Sequence, residues 1–561
     1  MSQATTTIYS ARKIITMNPM QPHATHVAVR DGRVLAVGTL ADMQGWGPFT
    51  LDERFAGKVL MPGLVEGHCH LKEGSMWDWT YLGWFDRRDP EGKVWSGLRS
   101  MDEVVSRLGE VAAKMTADGI PDSEPLVAWG FDPIYFGGER MTVRHVDRAS
   151  STRPIVIGHA NGHLMNVNSA MLRIAEITRD NEVEGVVKFA GGDSEGEPTG
   201  ELQEPAAMFL VLRKIGNAGL LAPMTEAGVR SFARLACLQG VTTATDLVNK
   251  LTPEDCGVLE KATGDDGFGV RILPAFQAFH GTHGAAQGAE HVKSLVPRNT
   301  DRLRYGLVKM MLDGSIQGFS ARLRWPGHFN GAPNGIWVTA PAQYEADFET
   351  YHRAGLTIHT HTNGDEASEV AIDAIERVLA RAPRPDHRHT LQHGQMIDAS
   401  LFRRMASLGL CANLFANHIW YWGDQHYEMT MGPDRANRLD ACGSALAAGV
   451  PLAIHSDAPV TPLGPLFTAW CAVNRITPKG RLLGEAERIT VPQALRAITL
   501  GAAWTLKLDG EIGSIECGKR ADFCVLEDDP LEMDPMTLKD ARVWGTVLSG
   551  RVFEAQRGKG A

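Results

Sequence analysis

The chain lacks the features of a disulfide scaffold, a membrane protein or a nucleic-acid-binding protein. Its eight cysteines are spread over 561 residues with no CxxC pair, which excludes a disulfide-dense domain and is typical of reduced thiols. No apolar run reaches the length of about 18 residues that a membrane span needs, and the start, MSQATTTIYS, has no signal-peptide pattern. A net charge of −10 offers no basic surface to nucleic acid.

What the chain does contain is the composition of a globular protein. Hydrophobic residues make up 43% and charged residues 22%, enough apolar material for a large core. The 59 glycines and 29 prolines are too few for a low-complexity or fibrous chain. We therefore expect a soluble cytoplasmic protein that binds a small molecule, with no nucleic-acid or membrane partner.

The two ends of the chain have the same β character. Near the start, Asp31-Gly32 separates two runs of alternating apolar residues, a strong hairpin signal. The closing segments GEIGSIECGKRADFCVLEDD and VWGTVLSGRVF are also strand-rich, with glycines at turns. We expect residues 1–58 and 510–561 to form one small β-sandwich-type domain.

The middle of the chain alternates β-rich apolar runs with helical patterns, which indicates parallel βα units. One such helical pattern covers residues 366–380. Eight strands are expected, at 59–70, 240–247, 270–276, 305–312, 356–362, 388–394, 410–418 and 451–457. The prediction is an α/β fold with a (β/α)₈ TIM-like barrel over 59–509. The long gap after the first strand implies an inserted subdomain over about 75–225, with a strand at PIVIGHA, placed at the barrel mouth.

Residues able to bind metal lie at the ends of five of these strands. His68 and His70 are two apart on a strand and so share one face, and strands four, five, six and eight carry Lys309, His361, His393 and Asp457. Each has an alternative interpretation, since a histidine can be hydrogen-bonded in the core and an aspartate can cap a helix. Convergence at one barrel end nevertheless predicts a metal site.

Several motifs resemble the third amidohydrolase family of the amidohydrolase superfamily. They are MPGLVEGHCH, VKMMLDGS, HTNGD, RHTLQHG, IHSDAPV and the closing GSIECGKRADFCVLE, together with GHLMNVNSAML, GEPTGELQE and GVTTATD. The resemblance spans nearly the whole chain. It implies a hydrolase acting on a non-peptide carbon–nitrogen bond, with two divalent metals per chain, usually zinc, with manganese, iron or cobalt as alternatives.

The resemblance also implies a role for each residue. His68 and His70 would hold one metal, His361 and His393 the other, and Lys309, carboxylated on its ε-nitrogen, would bridge them. Asp457 would ligate the first metal and deprotonate the attacking water, whose pKa the metals lower so that hydroxide forms near neutral pH. His163 would polarise the substrate carbonyl, or else order its loop through a hydrogen bond.

Two departures from the family pattern leave questions at strands five and six. Relatives often have Glu-His where this chain has Gln392-His393, and strand five offers His359 as well as His361. His361 is chosen because it begins HTNGD, and His393 because it lies nearest the carboxyl end of its strand. His387 and His389 are expected to be supporting or structural residues.

Tryptophans follow the first and seventh strands. Trp77, Trp84, Trp420 and Trp422 could form a pocket for an apolar or aromatic substrate group, or could pack the insertion onto the barrel. Glu201 and Glu204 could be ligands or substrate contacts, although solvated or helix-start carboxylates are the commoner case. Cys69 is expected in the core.

The leading hypothesis is a metal-dependent amidohydrolase of an amide, formamide, carbamate or related bond in a small molecule. One alternative is a mononuclear deaminase of the same superfamily, which typically lacks the bridging lysine and has a glutamate shortly after the strand-five histidine, where this chain has Gly364. Another is a non-catalytic scaffold or regulatory barrel, which six filled ligand positions disfavour. Family habit suggests a homodimer.

Overall fold

A computed structural model describes residues 6–137, 139–160, 162, 164–216, 223–279 and 284–555, without the side chains of Glu204 and Pro205. These residues form two compact units. One comprises the described residues up to Leu71 and from Ala233 onward, and the other comprises Lys72–Phe232. The barrel and the terminal strands belong to the first unit, and the finer domain boundaries given above stay predictions.

The first unit is built on an eight-stranded parallel sheet whose strands follow one another in chain order. The strands are Leu64–Glu66, Val241–Asn249, Arg271–Gln277, Leu307–Met311, Thr357–Thr362, Thr390–His393, Cys411–Leu414 and Leu452–Ile454, called the first to eighth barrel strands below. All seven ladders are parallel, as βα connections require. This is the predicted (β/α)₈ barrel.

The sheet closes on itself just beyond its first and last strands. Cys69 and Ala458 form an isolated parallel bridge. The Asp457 amide donates to the His68 carbonyl at 3.1 Å, and the His70 amide donates to the Ala458 carbonyl at 2.7 Å. The residues that close the barrel are therefore those that the sequence places in a metal site.

Helices cover the outside of the barrel, and several of them bury one apolar face. The helix predicted over 366–380 spans Asp365–Arg381 and buries residues such as Ala371, Ile375 and Val378. The other α- and π-helices of this unit are Leu40–Met43, Pro253–Gly264, Ala285–Leu295, Pro341–Arg353, Ala399–Leu408, His418–Tyr421, Gly423–Gln425, His426–Thr430, Gly432–Ala436, Cys442–Ala447, Pro465–Asn474, Val491–Arg496, Ala497–Gly501 and Ala502–Thr505. Short 3₁₀ helices lie at Gln44–Trp46, Val296–Arg298, Glu485–Glu487 and Pro535–Asp540.

Strands from both ends of the chain form one seven-stranded sheet. They are Thr6–Ile15, His23–Arg30, Arg33–Gly38, Phe49–Pro62, Phe523–Leu526, Val543–Leu548 and Arg551–Glu554. Asp31 and Gly32 have φ values of 53° and 72°, and the strands on either side pair antiparallel from Arg30 and Arg33 onward. The predicted hairpin is thus confirmed, because its two-residue turn needs positive φ at both positions.

The second unit has a six-stranded sheet of its own. Its strands are Thr80–Tyr81, Leu126–Phe131, Ile155–His159, Leu164–Val167, Val186–Lys188 and Pro198–Gln203, with a separate pair at Arg87–Arg88 and Val94–Trp95. The third of these confirms the strand predicted at PIVIGHA. The helices are Lys72–Met76, Met101–Ala117, Val143–Val146, Ser169–Ala175 and Glu204–Ile215, with a 3₁₀ turn at Pro133–Tyr135, and Glu226–Leu238 leads on to the second barrel strand.

Among the helices within the described ranges, none combines the length and the apolar character that crossing a bilayer requires.

A buried ion pair joins the barrel to the terminal sheet within the first unit. The Arg271 guanidinium, on the third barrel strand, donates to the Asp522 carboxylate at 2.7 Å and to the Thr243 hydroxyl at 2.9 Å. The arginine and aspartate side chains are 1% and 3% exposed, so neither charge has water to replace its partner. The other Asp522 oxygen accepts from the Ser549 amide.

We predict that Asp522→Ala lowers the free energy of unfolding by about 3 kcal/mol or more, because it leaves a buried guanidinium without its main partner. Urea unfolding of the full chain measures this loss. As a control, Glu290→Ala removes an exposed partner of Lys293 and should leave the midpoint nearly unchanged. Equal, small effects of both substitutions would contradict the prediction.

Candidate metal centre

Three predicted ligands meet where the barrel closes. The Asp457 carboxylate oxygen Oδ1 lies 3.3 Å from His68 Nε2 and 3.2 Å from His70 Nε2. One ligand atom from each of the three residues falls within 4.8 Å of the other two. Two imidazoles and a carboxylate at this spacing form a donor set suited to a divalent metal.

Lys309, on the fourth barrel strand, reaches the same point from the barrel interior. Its Nζ atom lies 3.4 Å from His68 Nε2, and the residue is 2% exposed. Burial lowers the pKa of this amine to about 7, although the nearby Asp457 charge acts in the opposite direction. An ordinary lysine ammonium would repel a metal here, whereas an uncharged amine does not.

His361 and His393 form the other side of the cluster. Their ring centroids are 4.4 Å apart with planes inclined at 71°, and the His393 ring is also 4.5 Å from that of His68. His361 Nε2 lies 3.2 Å from the Gly314 carbonyl oxygen. The Asn363 side-chain nitrogen lies 3.1 Å from the same Nε2 atom, so this nitrogen has both an acceptor and a donor beside it.

The loop after the fifth barrel strand is held by a buried carboxylate. Asp313, which is 0% exposed, accepts backbone N–H groups from Asn363 and Gly364 at 2.9 Å and from Arg322 at 3.0 Å. A Cβ at position 364 would lie 1.7 Å from the Arg322 carbonyl oxygen. The close approach explains why HTNGD needs glycine there, and the three hydrogen bonds to Asp313 hold the loop beside His361.

Two residues of the cluster have left-handed backbone conformations, with φ of 67° at His393 and 53° at Asp457. Such values are uncommon outside glycine. In a regular strand, Gln392 and His393 would point to opposite faces, yet Gln392 contacts His68 and His393 lies among the cluster histidines. The left-handed turn at the strand end thus brings both side chains into the barrel.

His455 is a member of the cluster that the sequence analysis missed. It is 0% exposed, its ring stacks between Phe415 and His68 at 4.8 Å and 4.5 Å, and it groups with His68 and His393 as a possible ligand set. A signal was present, because His455 precedes Asp457 by two residues and so shares its strand face, as His68 does with His70.

The unsatisfied polar atoms of the cluster provide a direct test of whether a metal fits. His393 Nδ1, both nitrogens of His455 and Asp457 Oδ1 are buried without a hydrogen-bond partner among the described residues. Each such group costs about 1–3 kcal/mol if it stays unsatisfied. Four of them at one point are explained by a cation, so the residues present fit a divalent metal.

The protonation states also suit metal binding, because a ligand histidine must be neutral. Burial, with smaller contributions from neighbouring charges, holds the pKa of both His68 and His393 well below its ordinary value. Burial alone would raise the pKa of the Asp457 carboxyl, but the neighbouring His70 ring and nearby positive charges lower it on balance. Asp457 is therefore ionised at neutral pH.

The other candidate histidines and Cys69 lie outside this cluster. His359 lies two residues before His361, nearer the amino end of the fifth barrel strand. Its ring hydrogen-bonds to the Gln392 side chain and to the Thr505 carbonyl. His387 and His389 are near the start of their strand, where His389 bonds to His352 at 2.9 Å. Cys69 donates to the Thr245 carbonyl in the core.

The tryptophans after the seventh strand are engaged in packing. Trp420 packs against Phe467 and Trp470. Trp422 lies 4.9 Å from the His418 ring and is 2% exposed. A contact of either ring with substrate stays a prediction.

The candidates within the inserted unit have partners of their own. Trp77 packs against Tyr81 and Trp129, and Trp84 stacks on Tyr135 at 5.6 Å. Glu201 is ion-paired with Arg140. His163 and the Glu204 side chain lie outside the described residues, so their expected roles stay predictions.

Known proteins resemble this chain over most of its length. The model of an amidohydrolase family matches residues 56–553. The chain belongs to this family. It is therefore a metal-dependent hydrolase acting on carbon–nitrogen bonds.

Three similar proteins illustrate the relationship. Protein LONG AFTER FAR-RED 3 of Arabidopsis thaliana is 28% identical, over 91% of this chain and 85% of its own length. An N-substituted formamide deformylase of Arthrobacter pascens is 24% identical over 94% of both chains. The structure of an uncharacterized metal-dependent hydrolase from Pyrococcus horikoshii shares the fold, with a TM-score of 0.70 and 19% identity over 95% of this chain and 99% of that one.

We predict that His455→Phe weakens metal binding by about tenfold or more, the loss typical when a side chain next to a metal site is removed. The phenyl ring keeps the stacking on Phe415 and removes only the two nitrogens. Chelator competition on the full chain measures the affinity, with His291→Phe, a histidine bonded to the Leu251 carbonyl, as the control. Unchanged affinity together with a higher melting temperature would mean that no metal partners His455.

Proposed function

We propose that the protein hydrolyses an amide, formamide, carbamate or related carbon–nitrogen bond of a small molecule at a centre of two divalent metals. The observation that carries this proposal is the set of His68, His70 and Asp457, with ligand atoms within 4.8 Å of one another and Lys309 Nζ 3.4 Å from His68. A lysine within a ligand set favours a bridged pair of metals over a mononuclear deaminase centre.

His68, His70 and Asp457 would hold one metal and His361 and His393 the other, with Lys309 between them. Imidazole nitrogens and carboxylate oxygens suit zinc, and also manganese, iron or cobalt. When bound, the metals supply a Lewis acid for the substrate carbonyl and water that ionises near neutral pH.

The protein's own groups then move the proton. The ionised Asp457 carboxylate accepts a proton from the attacking water while the carbon–oxygen bond forms. The carboxyl group returns this proton to the nitrogen when the carbon–nitrogen bond breaks, so that the leaving group departs as a neutral amine. The left-handed backbone at Asp457 helps to aim its side chain at the reacting atoms.

Lys309 would act as a carboxylated bridge. In its uncharged form, the buried amine can attack carbon dioxide, forming a nitrogen–carbon bond and releasing one proton. The product carries a negative charge on two oxygens, which converts a group that would repel the metals into one that joins them.

The substrate is proposed to be small and to carry an apolar or aromatic group, which Trp420 and Trp422 of the first unit would contact. A homodimer is proposed as the assembly.

The number of metals tests this proposal. We predict about two divalent metals per chain in protein purified without a metal-binding tag, measured by elemental mass spectrometry. Lys309→Ala should release at least one of them, because the bridging group is lost, and hydrolysis of amides and formamides should fall with it. Lys13→Ala, which removes a lysine paired with Asp529 on the terminal sheet, is the control.

Other results would redirect the assignment. One metal per chain, unchanged in Lys309→Ala, would overturn the bridged pair and favour deaminase chemistry. No metal after purification with added zinc or manganese would overturn the catalytic proposal and favour a scaffold role. Labelled bicarbonate that gives a carbamate signal in the wild type and none in Lys309→Ala would support the bridge directly.

A further inference from the structure

A chain of hydrogen bonds runs through the barrel interior from a backbone carbonyl to the ligand His68. The Thr505 carbonyl oxygen lies 3.2 Å from His359 Nε2. His359 Nδ1 lies 2.8 Å from the Gln392 amide nitrogen, and the Gln392 amide oxygen lies 2.8 Å from His68 Nδ1. His359, Gln392 and Asn413 are 0% exposed, so water does not offer these groups alternative partners.

The direction of the chain is set at the Thr505 end. A carbonyl oxygen can only accept, so His359 Nε2 must donate and carries the proton. The His359 ring is buried and both of its hydrogen-bond partners are uncharged, which favours the neutral ring. Its Nδ1 atom is then an acceptor, and the Gln392 amide nitrogen donates to it.

The orientation of Gln392 in turn decides the tautomer of His68. With its nitrogen turned to His359, Gln392 directs its oxygen toward His68 Nδ1, and the same oxygen accepts from the Asn413 amide at 2.9 Å. This oxygen can only accept, so His68 carries its proton on Nδ1. The lone pair is then on Nε2, the atom beside Lys309 Nζ and Asp457 Oδ1.

The opposite orientation of the Gln392 amide fails at His359. It would place the amide oxygen against His359 Nδ1, which would then need a proton. With Nε2 still donating to the Thr505 carbonyl, His359 would become a buried imidazolium. Its hydrogen-bond partners among the described residues, Thr505 and Gln392, carry no negative charge. With only one proton on the His359 ring, one ring nitrogen would face an oxygen as a second acceptor. Either Nε2 would face the Thr505 carbonyl oxygen or Nδ1 would face the Gln392 amide oxygen.

We propose that Gln392 and His359 are positioning residues that hold His68 in the tautomer with Nε2 free for the metal. The inference rests on the proposed role of His68 as a ligand and adds how that ligand is prepared. A glutamate would accept from His68 but would have no proton to donate to His359.

The experiment measures metal affinity in the full chain by chelator competition, with metal content and the melting temperature of the metal-free protein recorded for each variant. Gln392→Met keeps the volume but removes the hydrogen bonds of this side chain to His68, His359 and Asn413, and is expected to weaken metal binding about 10–100-fold. Gln392→Glu keeps the acceptor for His68 and should lose less. In cobalt-loaded protein, the visible absorption of the centre should change in Gln392→Met.

Gln395→Met is the matched control, because Gln395 is also 0% exposed and its amide nitrogen also lies 3.0 Å from two histidines, His418 and His426. Its affinity should stay at the wild-type value. His359→Phe should weaken binding by itself but add little in the Gln392→Met background, because either change breaks the same chain.

The outcomes separate this inference from the proposed function. If His68→Ala loses metal while Gln392→Met and His359→Phe bind it as tightly as the wild type, the metal site stands and the tautomer chain is overturned. If the loss of metal affinity in each variant follows its loss of melting temperature, and Gln395→Met loses as much affinity as Gln392→Met, the role of Gln392 is merely structural. The inference is then also overturned. If the wild type binds no metal, the proposed function itself fails.

Discussion

Barrel closure is the constraint on which the site depends. The first and eighth strands meet through backbone hydrogen bonds among residues 68–70 and 457–458. These bonds fix the positions of His68, His70 and Asp457 relative to one another before any metal is considered. A ligand set on a closed parallel sheet is rigid, because moving one member would break the ladder that closes the barrel. Lys309, His361 and His393 reach the same point from strands whose register the closed sheet determines.

Polar groups in a barrel core must be satisfied, and this protein does so in two ways. Nearer the amino ends of the strands, Gln392 hydrogen-bonds to His359 and Asn413, and His359 also hydrogen-bonds to the Thr505 carbonyl. At the ligand level, donors and acceptors on His393, His455 and Asp457 have no partner among the described residues. This group of unsatisfied atoms, all on residues of the candidate metal centre, marks where a cation belongs. It also explains how neutral histidines, an ionised aspartate and a buried lysine can share one small volume.

Much of the site could be predicted from residue spacing. His68 and His70 share a face because strand side chains alternate, and helix 366–380 follows from its apolar period. His455 could have been predicted by the same rule, because it lies two residues before Asp457 in the strand expected at 451–457. Alternation fails at Gln392 and His393, which both point inward because His393 has a left-handed backbone. Local patterns do not predict such an exception, since it depends on the neighbouring strands and loops that hold it.

The sequence by itself determined the number and order of the barrel strands, the hairpin at Asp31-Gly32 and the residues from which a metal site could be built. Those features depend on short-range periodicity and on residue chemistry, both of which are readable along the chain. Only the tertiary structure decided which histidines converge, which lie below the ligands, and which atom of His68 is left free. These outcomes depend on hydrogen bonds between residues far apart in sequence, such as the 324 positions that separate His68 from Gln392, and on the direction that a single carbonyl oxygen imposes on a chain of donors.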